Sequence, residues 1–125
     1  MKVDISLGEL VDKVSILAIK LEKMKDPAKL ANVKKEYDIL QKYMHEAAIS
    51  EESDEYCRLL DINRKLWEIE DQIREKEKEK SFDPEFVGLA RSVYFTNDDR
   101  AAVKREINLR YGSDLVEEKD YKQYR

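Results

Sequence analysis

The sequence predicts an all-α protein, an antiparallel helical bundle of about five helices: three long, heptad-patterned ones followed by two shorter C-terminal ones. Two observations carry that expectation. Apolar residues recur at alternating steps of three and four along three successive segments, the spacing that lays one stripe down a helix. With only 3 Gly and 2 Pro in 125 residues, there is also too little turn punctuation for a sheet built of hairpins. Hydrophobic residues make up 42%, enough for one continuous core, and the remainder is rich in Lys and Glu, a helical-bundle composition. The length fits a single helical domain over residues 1–125.

The elements follow in order. Ser6 and Glu9 form a capping box, the hydroxyl serving one free amide while the glutamate reaches back to another. Leu7, Leu10, Val14, Leu17, Leu21 and Met24 then predict a first helix over 7–24. Asp26-Pro27 ends it and caps the second, with proline at the first helical position, where its missing N–H costs nothing. Leu30, Val33, Tyr37, Leu40, Met44 and Ala47 stripe that second helix. After the polar stretch 50–53, Leu59, Ile62, Leu66, Ile69 and Ile73 predict a third over 54–80. Three such stripes predict antiparallel neighbours at a shallow crossing angle, with Leu66 in the core. Ser81-Phe82-Asp83-Pro84 opens a fourth helix to about Tyr94, with Phe86, Leu89, Ala90 and Val93 inward. Thr96-Asn97-Asp98-Asp99 caps a fifth, in which Val103, Ile107 and Tyr111 face the core, and Gly112 terminates it. Residues 113–125 form a polar arm with regular aromatics, expected to dock on its own bundle or on a second copy.

Two helices carry a second face. Gly8, Val11, Ser15 and Ala18 form a small-residue side of the first helix, and Leu60 and Trp67 lie beside the main stripe of the third. These faces receive either the C-terminal helices or a second subunit in a homodimer.

Net charge is −4, with both signs mixed along the chain. There is no basic face for nucleic acid and no cationic amphipathic helix for a membrane surface. No apolar run approaches the ~20 residues of a membrane span, and the start, MKVDISLGEL, lacks a secretory core. One cysteine, Cys57, cannot form an internal disulfide, so a cytoplasmic location is expected and Cys57 reads as a packed thiol.

Few residues could carry chemistry. His45 is the one histidine, so neither a paired-histidine zinc site nor a Ser-His triad can be built, and no metal or cofactor is expected. Glu51, Glu52, Glu55, Glu68 and Asp71 formally resemble the acidic motifs of all-α nucleotide pyrophosphohydrolases. Glu55 and Glu68 fall on one predicted helix, however, and at ~1.5 Å rise per residue lie about 20 Å apart, too far to share an ion. The densest mixture of functional groups is Arg91, Tyr94, Asn97, Arg100 and Lys104, a candidate anion site at a helix start. The competing structural account has Asp98 and Asp99 neutralising that end and the arginines pairing with Glu70, Asp71 or the acids of the arm. Asp12 and Lys13 on the first helix, with Trp67, Glu70 and Asp71 on the third, complete the candidate set. The segment 11–17 faintly resembles the opening helix of helical chorismate mutases, whose inward cations hold a dicarboxylate.

Taken together, Ser6 to Lys13 with Ile16-Leu17, Asp26 to Leu30, Leu66 to Asp71, Ala90 to Tyr94, Thr96 to Arg100, Lys104 and Leu115 to Lys119 resemble a family of small bacterial proteins catalogued as a domain of unknown function. Its members look like companions of glycosyltransferases in surface-polysaccharide gene clusters. The resemblance implies an accessory role in glycan assembly and supplies no catalytic residues. The leading expectation is a non-catalytic helical module, dimeric, that binds a partner protein or a small anionic ligand. The rival is a metal-independent enzyme on an anionic metabolite. Convergence of Asp12, Lys13, Glu70, Asp71, Arg91, Tyr94 and Arg100 on one enclosed pocket would favour the enzyme.

Overall fold

The computed structural model describes residues 1–124 and contains four helices: α1 (Leu7–Lys23), α2 (Pro27–Glu46), α3 (Asp54–Lys78) and α4 (Pro84–Arg110). Each start is set by a short polar side chain accepting a free backbone N–H. Ser6 accepts from Glu9 at 3.1 Å, Asp26 from Ala28 at 2.9 Å, Ser53 from Tyr56 at 3.3 Å and Asp83 from Phe86 at 2.9 Å. The predicted capping box is only half built, because the Glu9 carboxylate turns outward to Lys104 at 2.8 Å.

The class expected from the sequence holds, but the count does not: the fourth and fifth predicted helices are one. Thr96-Asn97-Asp98-Asp99 resembles a cap, yet it lies inside α4. No glycine or proline interrupts the backbone there, and Thr96 is buried at 2% exposure against the bundle. Packing therefore keeps the helical bonds that a local cap would have replaced. The real end comes where it was expected, with Gly112 in the left-handed region (φ 69°) and the Ser113 amide bonded to the Asn108 carbonyl at 2.8 Å.

α1 is the centre of the molecule and packs closely against each of the other three helices, whereas the α2 backbone comes close only to that of α1. The predicted α2–α3 neighbour pair is absent. Ion pairs report the directions: Arg58–Glu106 and Lys76–Asp83 show α3 and α4 to be antiparallel, and Lys104–Glu9 and Arg100–Asp12 show α4 to be antiparallel to α1. α1 and α3 thus run parallel. Being enclosed, α1 buries its second face as well as its stripe: Val11, Ser15 and Ile19 are as inaccessible as Leu10, Val14 and Leu17. The core continues through Met44, Ile49, Tyr56, Leu59, Val103 and Ile107. At this order of burial each large apolar side chain stabilises by roughly 1.5–3 kcal/mol.

The small-residue face of α1 receives α4. A Cβ on Gly8 would stand 3.0 Å from the Asn108 side-chain oxygen and closer still to the Lys104 carbonyl. Three sequence expectations need correction. Ala90, expected inward, is exposed on α4. Leu66 is only partly buried, because it lines a groove rather than the core. Cys57 is exposed, since α3 turns that side away from α1.

Candidate functional site

Asp12 lies one helical turn from Gly8, on the α1 face that the close α1–α4 approach seals. Its side chain has no exposure to solvent. An isolated buried carboxylate would be costly, and this one is fully partnered. Arg100 of α4 grips it with two parallel bonds, Nε to Oδ1 at 3.0 Å and Nη2 to Oδ2. The Asn63 amide of α3 donates to the same Oδ1 and to the Ser15 hydroxyl, each at 2.9 Å, while Ser15 Oγ donates to the Asp12 carbonyl at 2.7 Å. Three helices are thus tied at one point. The Asp12 carboxylate raises the Arg100 pKa above its ordinary value despite partial burial.

One turn further along α4, Lys104 reaches Glu9 at 2.8 Å and Glu117 of the arm at 3.2 Å. Burial alone would lower its pKa, but the bond to Glu9 and the charges of Asp12 and Glu9 outweigh that and raise it. In turn Lys104 holds the Glu117 carboxyl below the usual range. Asn108 completes the row, its side-chain oxygen accepting the Gly8 amide at 2.6 Å.

Beside this cluster is an open groove of about 490 Å³ between α1, α3 and α4. Ile16, Ile19, Leu66 and Trp67 form apolar walls, and Glu70, Asp71, Arg74, Asn97 and Arg100 supply polar groups. Asp12 occupies Arg100 Nε and Nη2, and Arg100 also lines the groove. Arg74 is paired with Glu70. The Asn97 amide, the Asp71 carboxylate and the Trp67 indole N–H have no side-chain partner among the described residues.

Of the residues picked from sequence, Trp67, Glu70, Asp71, Asn97 and Arg100 meet in this groove, with Asp12 beneath them. The others do not join them. Lys13 is exposed, 3.8 Å from Glu9. Lys104 is engaged by Glu9 and Glu117. Arg91 and Tyr94 form a separate exposed pair, Nε to hydroxyl at 3.3 Å, with the guanidinium 5.7 Å from the Phe95 ring centre. The cap role expected of Asn97 is not realised, because it lies within α4. The candidate set therefore does not converge on one enclosed pocket.

Sequence reasoning missed Asn63 and Asn108, and it read Ser15 only as a small residue on the second face of the first helix. Asn63 did leave a signal: it is a polar residue beside Ile62, four residues after Leu59 and three before Leu66, and so on the side of the apolar stripe. Two of the acids that suggested a metal are otherwise employed. Glu51 accepts from Gln41 at 2.5 Å and bonds His45 at 2.7 Å, and Glu55 pairs with Arg110. No three His, Cys, Asp or Glu side chains gather closely enough for a metal ion among the described residues. Nor is any described helix long and apolar enough to cross a membrane.

The arm docks on its own bundle. Glu117 binds Lys104, Glu118 binds Arg105 at 3.1 Å, the Tyr124 hydroxyl bonds Asp98, and its ring packs edge-on to Tyr94 at 4.9 Å. Comparison with curated proteins and with solved structures returns no match. A family model does match, over residues 1–124, and the chain belongs to that family, described as a family of unknown function (DUF6165).

Proposed function

We propose that this chain is a non-catalytic helical binding module of bacterial surface-polysaccharide assembly, holding an uncharged, hydroxyl-rich ligand in the α1/α3/α4 groove. The observation that carries the reading is the engagement of Arg100 by the fully buried Asp12. That pairing removes the cation on which an anion site would depend. Two carboxylates (Glu70, Asp71) and two guanidiniums (Arg74, Arg100) line the groove, so its charge is balanced. What remains for a ligand is the Trp67 indole and separate hydrogen-bonding groups on Asn97, Asp71 and Arg100. An aromatic surface beside planar polar groups suits a sugar ring, whose apolar C–H face and hydroxyls demand both.

An enzyme acting on an anionic metabolite would need an enclosed pocket with free cations. The groove is open and its cations are paired, so the geometry gives that alternative less support. A pyrophosphohydrolase would need acids free to hold metal, and Glu51 and Glu55 already have partners.

Trp67 is the one tryptophan, and it lies in the groove, so its emission reports on binding directly. Titration of the full chain with neutral oligosaccharides should give a saturable change in Trp67 emission, weakened by Asn97→Ala. No change at millimolar saccharide, or an equal change with inorganic phosphate, would overturn the reading. The proposal includes a second copy or a protein partner in glycan assembly. Light scattering tests the first: a mass fixed at 14.8 kDa at all concentrations removes the homodimer.

A further inference from the structure

We propose a second binding site, for a nucleoside phosphate, in the cavity between α4 and the C-terminal arm. Its ligand is distinct from the one proposed for the groove, although Asn97 of α4 lines both. The cavity measures about 570 Å³, within the roughly 300–1,000 Å³ usual for small-molecule sites. Its base is the Ala90 and Val93 side of α4, and its walls are the rings of Tyr94, Tyr121 and Tyr124. Tyr94 and Tyr124 meet at 73°, so two ring planes stand across one another, and Tyr94 and Tyr121 keep 41% and 71% of their surface exposed. A heteroaromatic base can stack on such faces whatever its hydrogen-bonding pattern.

Charge selects the rest of the ligand. Lys119 and Lys122 line the cavity with a single carboxylate, Asp98, which already accepts the Tyr124 hydroxyl. Lys119 is shared with Glu117 at 3.4 Å, whereas Lys122 has no carboxylate partner among the described residues. Arg91, one turn before Tyr94, likewise faces a phenol and a ring rather than an acid. The other cations of α4 are neutralised: Arg100 by Asp12, Lys104 by Glu9 and Glu117, Arg105 by Glu118 and Arg110 by Glu55. The cationic surplus of this side of the molecule therefore gathers beside exposed aromatic faces, the pairing that recognises a base with an attached phosphate.

Calorimetric titration of the full chain with AMP, adenosine and inorganic phosphate separates the two contributions. AMP should bind at least ~10-fold more tightly than adenosine or phosphate, since ring and charge act together. Tyr94→Ala and Lys122→Glu should each weaken AMP ~10-fold or more with the circular dichroism of the helices unchanged. Lys42→Glu, a charge reversal at an exposed position of α2 outside the cavity lining, should leave AMP binding as it was. The proposal is overturned if AMP binds no more tightly than phosphate, if Tyr94→Ala has no effect, or if Lys42→Glu weakens AMP as much as Lys122→Glu does. Undetectable AMP binding overturns it equally.

Discussion

On the α1 side of α4, the Arg100 guanidinium lies against a carboxylate that no water reaches; at the arm, Glu118 and Arg105 form an ion pair with both partners half or more exposed. The residue chemistry is the same and the consequences differ. Asp12 has lost its hydration entirely and depends on Arg100 and Asn63 to replace it, so removing any of the three leaves a polar group stranded. Glu118 and Arg105 exchange one solvated state for another, and their pairing decides where the arm lies rather than whether the bundle folds. The buried cluster is therefore a brace for three helices, and the arm is a surface appendage free to respond to ligand and pH.

Three perturbations test that contrast. Asp12→Ala has the largest expected effect, ~3 kcal/mol of destabilisation in urea melts, because Arg100 and Asn63 lose their acceptor inside the bundle. A loss below ~1 kcal/mol, the range of exposed pairs, would erase the distinction. Gly8→Ala follows: the added methyl meets the Lys104 carbonyl, so α4 must move off α1, at a cost of ~1–3 kcal/mol read by thermal unfolding. An unchanged Tm would mean that α4 does not approach α1 as closely as described. Glu118→Ala is the smallest, under ~1 kcal/mol by the same melts, with faster amide exchange confined to residues 113–124.

Acid distinguishes the arm from the bundle in another way. The Glu117 pKa lies below its ordinary 4.5 because Lys104 bonds the carboxylate. Such a group adds its stabilising effect fully above its unfolded pKa, and that effect is lost as pH falls through the lowered folded value. Below pH 4.5, arm exchange should therefore rise as Glu117 takes up its proton, and Glu117→Gln should give the loosened arm already at pH 7. An arm equally protected at pH 7 in that variant would show that the ring contacts of Tyr124 alone hold it.

Much of this architecture was legible in the chain. The helix starts at Ser6, Asp26, Ser53 and Asp83 are local matters, since a small polar side chain satisfies an amide two or three residues away. Local reading failed at 96–99, where a cap-like string lies inside a helix. It failed again in expecting α2 beside α3. Of the candidate site, the residue types were legible and their availability was not. Arg100 and Lys122 look equally free in sequence; that one is engaged and the other open follows from carboxylates 88 residues away or missing nearby.

The sequence by itself determined where each helix starts and the main inward stripe of α1, because both depend on interactions spanning only a few residues. The tertiary structure alone decided that α1 sits among the other three helices, that Asp12 is sealed against Arg100, and that Trp67 and Asn97 share a groove. Those outcomes depend on contacts between residues far apart in the chain, where burial rather than residue type sets which charges remain available to a ligand.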